Sequence, residues 1–137
     1  MQTRSHLSVL VHDQAKKYGD REVLVTTDLL LEGIHFDLRY VPLKHLGYKA
    51  AVVNFSDIYA MFGTPRQITV SLGISSRFTT EHIEELYSGI RLACEHYGVD
   101  LVGGDTSASV TGLIISITCL GDVEKGKAVK RSGAKEN

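Results

Sequence analysis

Three aspartates stand where a purely structural role would be costly. Asp28 follows the apolar, β-branched run Glu22–Thr27, Asp57 lies inside an apolar segment, and Asp105 follows a double glycine. A buried carboxylate needs hydrogen bonds or a cation, and three that converge would hold a hard divalent ion. Magnesium is the best candidate, because phosphate oxygens can complete its shell. Taken singly, the three have plainer explanations: a turn former, the partner of a lysine or backbone amide, and a cap after a glycine turn.

The segment Gly103-Gly104-Asp105-Thr106 offers unhindered backbone amides and two side-chain oxygens directly after a predicted buried strand. Such a segment suits close approach to a phosphate or to metal-bound water. The chain contains neither G-x-x-x-x-G-K-[ST] nor G-x-G-x-x-G. A nucleotide would therefore be held by something other than a P-loop or a dinucleotide fingerprint.

His35, in Glu32-Gly33-Ile34-His35-Phe36, brings an imidazole and an acid close to Asp28 in the sequence. On its own, such a histidine is more often a hydrogen-bonded turn residue than a catalyst. The six histidines have no zinc-ligand spacing with one another or with a cysteine, so we expect no structural zinc.

Six elements are predicted to position these residues. They are strands at Glu22–Thr27, Arg66–Ile74, Val99–Val102 and Leu113–Leu120, and helices over Pro42–Phe62 and from the Thr79 cap to Gly98. Their uneven interleaving predicts an α+β fold, in which a four-stranded mixed sheet carries two main helices on one face. Residues 1–21 show no clear pattern, and we interpret residues 22–137 as a single domain.

Composition narrows the class of protein. The 137 residues are 43% hydrophobic and carry a formal net charge of -1, so nothing in the overall charge indicates a nucleic acid or an anionic membrane as partner. Cys94 and Cys119 are predicted to be buried free thiols in a reducing compartment. No apolar run approaches the roughly 18 residues that span a bilayer, and no signal peptide is evident, so we expect a soluble, cytoplasmic protein.

Five spaced segments carry a resemblance to a known family. They are Thr26-Thr27-Asp28-Leu29-Leu30-Leu31-Glu32-Gly33-Ile34-His35-Phe36, Leu46-Gly47-Tyr48-Lys49-Ala50, Asn54-Phe55-Ser56-Asp57-Ile58-Tyr59-Ala60-Met61, Gly103-Gly104-Asp105-Thr106 and Arg131-Ser132-Gly133-Ala134-Lys135. In this order they resemble thiamine-monophosphate kinase from about Val23 to Lys135. The N-x-S-D-x-x-A-M element is shared with a wider superfamily that includes aminoimidazole ribonucleotide synthetase and selenophosphate synthetase, and E-G-x-H-F with G-G-D-T narrows the resemblance to the thiamine enzyme.

The resemblance implies transfer of the γ-phosphoryl group of ATP directly onto thiamine monophosphate, with magnesium ions neutralising and orienting the two polyanions. By the family's pattern, Asp28, Asp57 and Asp105 are metal ligands and catalytic residues, Gly103, Gly104, Asp105 and Thr106 support the phosphates, Arg131 contacts a nucleotide phosphate, and His35 lies toward the thiamine phosphate. The family's four-stranded sheet pairs with that of a second subunit to form a barrel, with ATP near the interface. The resemblance thus implies a homodimer.

This sequence departs from the family's pattern in two ways. The family begins this domain with G-D-D-A-A, where this chain has His12-Asp13-Gln14-Ala15, and it continues into a second α/β domain after the R-S-G-A-K segment. We therefore expect a truncated N-terminal domain that is inactive or weakly active alone. Two alternatives stay open: a non-catalytic dimerisation module, and a domain of a sister ATP-dependent synthetase, against which the E-G-I-H-F segment argues.

Overall fold

The computed structural model of the chain describes residues 20–130, which form one sheet and two helices. The elements in chain order are β1 (Arg21–Leu31), α1 (Leu43–Ala60), β2 (Thr64–Ile74), α2 (Thr80–Tyr97), β3 (Asp100–Ala108) and β4 (Ile114–Glu124). The strands lie in the order β1-β4-β2-β3, with β4 antiparallel to β1 and β2, and β3 parallel to β2. The predicted α+β fold with a mixed four-stranded sheet is confirmed.

Both helices cover the same face of the sheet. Alternate residues of β4, among them Ile115, Ile117 and Cys119, are buried in one core with Phe55 of α1 and Ile90 of α2. The residues between them are only half-buried. No element within residues 20–130 packs on that second face, which we call the open face. The prediction of two helices on one face is therefore confirmed.

Two glycines let the helices approach closely. A Cβ atom at Gly47 of α1 would overlap the carbonyl oxygen of Leu86, and one at Gly89 of α2 would overlap that of Lys44. The helix backbones are thus in direct contact, which only residues without a side chain allow.

The ends of α2 agree with the prediction. Thr79 caps the N-terminus, where its hydroxyl accepts a hydrogen bond from His82 N at 3.3 Å and the Thr79 amide donates to His82 Nδ1 at 3.1 Å. Gly98 ends the helix in the left-handed conformation, with φ of 65°.

The ends of α1 were predicted less well. Pro42 is the residue before the first turn, not within it, and the helix stops at Ala60. A glycine, Gly63, directly follows the predicted helix, but Phe62 is the residue that adopts the left-handed conformation, with φ of 67°. Gly63 is instead buried, where a Cβ atom would overlap the side chain of Leu24. Tight packing, and not backbone freedom, requires a glycine there.

Three strands run further than predicted, because pairing with a neighbour overrides local sequence signals. β1 continues to Leu31 alongside β4, so Asp28 lies within the strand and not at its end. β3 was expected to break at Gly103-Gly104, but it pairs with β2 as far as Ala108. β4 reaches Glu124, beyond the predicted end at Leu120.

Cys94 and Cys119 are both buried and free, as predicted. Burial, followed by the nearby Asp100 carboxylate, raises the pKa of Cys94 to about 11. Burial is also the main cause that raises the pKa of Cys119 to about 12. Neither helix in the described range is long and apolar enough to cross a membrane. The cytoplasmic location stays a prediction.

Candidate functional site

The glycine-rich segment lies on β3, an edge strand of the sheet whose residues are mostly exposed. Gly103, Gly104, Asp105 and Thr106 line an open depression of about 560 Å³ together with Leu101, Val102 and Tyr87. A Cβ atom at Gly104 would overlap the carbonyl oxygen of Val70, so β3 follows β2 more closely than a side chain would permit. The Asp105 carboxylate accepts a hydrogen bond from Thr106 N at 2.9 Å. Backbone, carboxylate and hydroxyl groups thus meet at one exposed edge.

Tyr87 is a residue of this depression that the sequence did not reveal. It belongs to the apolar stripe of α2, where an aromatic side chain is expected simply to pack on the sheet. Instead it is only partly buried and lines the same surface as the glycine-rich segment. Burial raises the pKa of its hydroxyl, and the Arg91 guanidinium lies 5.6 Å from the ring centroid. An aromatic ring beside exposed backbone amides is suited to a ligand with a flat group and an anionic group.

Asp57 and Asn54 lie one turn apart on α1. Thr26 Oγ1 of β1 donates to Asp57 Oδ2 at 3.4 Å, which places this carboxylate over the first strand. Asn54 is fully buried and donates through Nδ2 to Ala50 O at 3.0 Å, while its Oδ1 accepts no hydrogen bond from any residue in 20–130. A buried acceptor without a donor is costly, and a cation or water satisfies it.

Asp28 lies on β1 two residues after Thr26, and therefore on the same, helix-covered face of the sheet. Two residues along a strand span about 6.7 Å, so Asp28 and Asp57 lie in the same region. Their side chains are both half-buried.

Asp105 lies elsewhere on the sheet. It is in register with Ser71, an exposed residue of the open face, whereas Asp28 is in register with the buried Ile117. Two strands separate β1 from β3, a distance of about 14 Å at ordinary strand spacing. One chain therefore brings Asp28 and Asp57 to one side and leaves Asp105 apart. Within residues 20–130 no three His, Cys, Asp or Glu side chains form a group that could hold a metal ion. The metal-ligand assignment stays a prediction.

His35 lies in the exposed turn that follows β1. Its Nδ1 accepts a hydrogen bond from Leu31 N at 2.9 Å, and its own amide donates to Leu31 O at 2.9 Å. The structure thus has the hydrogen-bonded turn residue that the sequence suggested, and the predicted contact with substrate stays a prediction. Arg131 and Asp13 lie outside the described residues.

Comparisons with known proteins give this geometry a context. The family model described as AIR synthase related protein, N-terminal domain, matches residues 11–123. A thiamine-monophosphate kinase of Bacillus subtilis strain 168 is 41% identical over 121 residues, which are 88% of this chain and 37% of that protein. The corresponding enzyme of Aquifex aeolicus is 37% identical over 119 residues, which are 87% of this chain and 38% of the relative.

Solved structures agree with the sequence matches. A structure described as AaThiL complexed with AMPPCP and TMP is similar with a TM-score of 0.79 and 37% identity, covering 86% of this chain and 37% of that one. The crystal structure of thiamine-monophosphate kinase from Aquifex aeolicus has a TM-score of 0.77 and 34% identity, covering 90% of this chain and 44% of that one. The resemblance inferred from the five sequence segments is confirmed. The chain spans less than half the length of these relatives.

Proposed function

Because the chain belongs to the family of AIR synthase-related N-terminal domains, we propose that it is the nucleotide-binding part of a thiamine-monophosphate kinase. Such an enzyme transfers the γ-phosphoryl group of ATP to thiamine monophosphate and yields thiamine diphosphate. The proposal rests on the exposed segment Gly103–Thr106 beside Tyr87. This segment presents backbone amides that no bulky side chain covers, next to an aromatic ring, and such a surface suits a phosphate group. The relative bound to AMPPCP and TMP supports the same pair of ligands for this chain.

Each residue of the site has a proposed part in binding. The glycine backbone and Thr106 hydroxyl receive phosphate oxygens, and the Tyr87 ring lies against a flat part of the nucleotide. His35 donates from its exposed ring to the phosphate of thiamine monophosphate. Arg131, from the sequence resemblance, adds a cation to the nucleotide phosphates. Positioning and neutralising two polyanions is the main demand of this chemistry.

Magnesium is the proposed metal, and the donor chemistry suits it. Asp28 and Asp57 provide hard carboxylate oxygens on one side of the sheet, and the buried Asn54 Oδ1 lacks a donor among residues 20–130. When bound, the ion would neutralise phosphate charge. Asp28, Asp57 and Asp105 are its proposed ligands; Asp28 and Asp57 lie on the helix-covered side, and Asp105 lies on the open face at the β3 edge.

A homodimer is the proposed assembly, in which two open faces enclose a barrel. β1 and β3 are the two edges of the sheet, and the outer side of the nine-residue β3 pairs with no strand among residues 20–130. The open face between them also exposes apolar side chains, such as Leu29 at 53%. Pairing β3 with β1 of a second copy would satisfy both edges and would close the two sheets into one barrel. The family's barrel across a dimer supports this arrangement.

Residues 22–137 are the proposed extent of this nucleotide-binding domain. We assign full catalysis to this domain acting together with the part of the relatives that this chain does not match. The chain alone is expected to bind nucleotide and to have little or no transferase activity.

Calorimetry with AMPPCP, with and without magnesium, tests the proposal. The wild-type chain should bind the analogue more tightly with magnesium, and Asp57→Asn should lose that increment. Asp100→Asn is the control, because it makes the same chemical change at an exposed aspartate of β3 that lies outside the glycine-rich depression. Absence of binding under all conditions would contradict a nucleotide site in this chain and would favour the dimerisation module, for which the exposed β3 edge is the supporting observation.

A further inference from the structure

The turn after β1 is held by more contacts than a surface turn requires. Gly33 adopts φ of 86° and donates from its amide to Phe36 O at 2.9 Å. His35 is fixed twice, by its amide to Leu31 O and by Leu31 N to its Nδ1, both at 2.9 Å. Because Nδ1 accepts, the neutral imidazole carries its proton on Nε2. The exposed side of the ring is therefore a hydrogen-bond donor.

Glu32 ties this turn to two other parts of the fold. Its Oε1 accepts a hydrogen bond from Leu113 N at 3.1 Å, beside the backbone bond from Glu32 N to Leu113 O at 3.0 Å. Its Oε2 forms an ion pair with Arg77, in the loop between β2 and α2. The hydrogen bond from Arg77 is the main cause that lowers the pKa of Glu32 below its usual value of 4.5.

Arg77 is itself held in place. Its guanidinium lies 5.0 Å from the centroid of the Phe78 ring, which limits the directions the side chain can take. The Glu32 side chain is 18% exposed and that of Arg77 57% exposed, so one end of the pair is shielded from water. The nearby pair Asp37–Arg39 differs, because it joins residues two apart in the same loop and anchors the loop to nothing else.

We propose that the Glu32–Arg77 ion pair, which we call the latch, fixes the position of His35 and its tautomer, in which Nε2 carries the hydrogen and donates a hydrogen bond. Glu32 and Arg77 are thus positioning residues for binding the phosphate of the second substrate. The assignment of a substrate to His35 rests on the proposed function, whereas the effect of the latch on His35 does not. The contacts of Glu32 with Leu113 and Arg77 hold the end of β1 against the loop before α2. His35 Nδ1 therefore stays hydrogen-bonded to Leu31 N, and the Nε2 hydrogen faces the ligand.

Nitrogen-15 NMR of the imidazole rings in the 137-residue chain, near pH 8, tests the latch. In the wild type, His35 should show a protonated Nε2 and a hydrogen-bonded, unprotonated Nδ1. Arg77→Gln should introduce a population with protonated Nδ1. It should also speed exchange of the Leu31 amide by about two- to five-fold, the change expected from losing one partly exposed ion pair. Arg77→Lys should restore most of the wild-type signature, since it keeps the charge.

Arg39→Gln is the matched control, because it removes an arginine–carboxylate pair from the same loop and leaves the contact between Glu32 and Arg77 in place. Glu32→Gln, which can still accept from Leu113 N, checks the result from the other partner. An unchanged His35 signature in both Arg77→Gln and Glu32→Gln would overturn the latch, and so would an equal change in Arg39→Gln.

Titration with thiamine monophosphate separates the latch from the proposed function. If the wild type binds, Arg77→Gln should weaken binding by the same two- to five-fold factor, about that of one partly exposed ion pair, and unchanged affinity would overturn the role in substrate positioning. If the wild type does not bind, the substrate assignment fails for this chain, and the NMR signature still decides the latch.

Discussion

Neighbouring rows of the same sheet differ sharply in what they contain. One row, running across the four strands, is Asp28, Ile117, Val70 and Gly104, and the next is Leu29, Ser116, Ser71 and Asp105. In the first row Ile117 and Val70 are at most 1% exposed, whereas in the second Leu29 is 53% exposed. The helix-covered face therefore holds the core, and the open face and β3 edge hold groups available to a ligand or partner.

This contrast shows that the covered face of the sheet stabilises the fold, whereas the open face and the β3 edge are available for binding. The covered face is built from alternating apolar residues of β2 and β4 against two helices in close contact. Its polar residues gather near β1 and α1, and they include Thr26, Asp28, Asn54 and Asp57. The open side lacks such packing within residues 20–130, and the glycine-rich segment lies on the exposed edge strand β3 that borders both faces. Substitutions should therefore have very different effects on the two sides.

Thiol chemistry should give the largest contrast. With pKa values of about 11 and about 12, Cys94 and Cys119 are buried and almost wholly protonated. At pH 8 these shifts lower the thiolate fraction by a factor of about 100 to 1,000. We expect neither cysteine to react with a thiol reagent in the folded chain, while Val102→Cys, on the exposed β3 edge, reacts readily. Rapid modification of the two native thiols without denaturant would show that the covered face is not closed.

Truncation of one apolar side chain on each face should give the next largest contrast. Ile117→Ala removes a fully buried side chain and should lower the free energy of unfolding by about 2–5 kcal/mol, since it leaves a cavity in the core. Leu29→Ala, on the open face, should cost about 1 kcal/mol or less. Urea unfolding of dilute protein measures both. The small cost of Leu29→Ala applies to the dissociated chain, because the proposed dimer encloses the open face. Equal losses in the dissociated chain would contradict the contrast between the two faces.

Dependence of stability on pH should be the smallest effect. Burial tends to raise the pKa of Asp122, but hydrogen bonds from Arg21 and Arg66 outweigh it and hold the pKa below its usual 3.8. A depressed carboxyl pKa stabilises the folded state above the unfolded pKa, and the gain is lost as pH falls through the folded pKa. Asp122→Asn should cost at most about 1 kcal/mol at pH 7, because the pair is partly exposed.

Urea unfolding from pH 7 to pH 2.5 checks this expectation. The difference in stability between wild type and Asp122→Asn should shrink below about pH 4, the usual range for an aspartate. A difference that stays constant would show that the arginines do not stabilise the ionised carboxylate.

The sequence predicted the elements whose signals are local. Thr79 and Gly98 mark the ends of α2 because a cap and a left-handed glycine act over a few residues. β3 was missed beyond Val102, since Gly103-Gly104 favours a loop locally but tertiary pairing with β2 keeps it extended. Likewise Tyr87 could not be assigned to the site, because its stripe pattern is the same for a core residue as for one at the rim of a depression.

The placement of the three aspartates shows more clearly what could not be predicted from the sequence. Their residue types indicated a metal, but which face each occupies depends on strand register. A change of one residue moves a side chain to the other face. Asp28 and Asp105 therefore could not be assigned to opposite faces before the pairing was known.

Hydrogen–deuterium exchange with and without magnesium and AMPPCP tests the central claim most directly. A nucleotide site on the open β3 edge predicts protection of the amides from Leu101 to Thr106 and of the α2 segment around Tyr87. The amides of Ile115 to Cys119, in the centre of the sheet, should be unchanged, and Asp105→Asn should remove the added protection. Protection confined to other surfaces, or none at saturating analogue, would contradict the account.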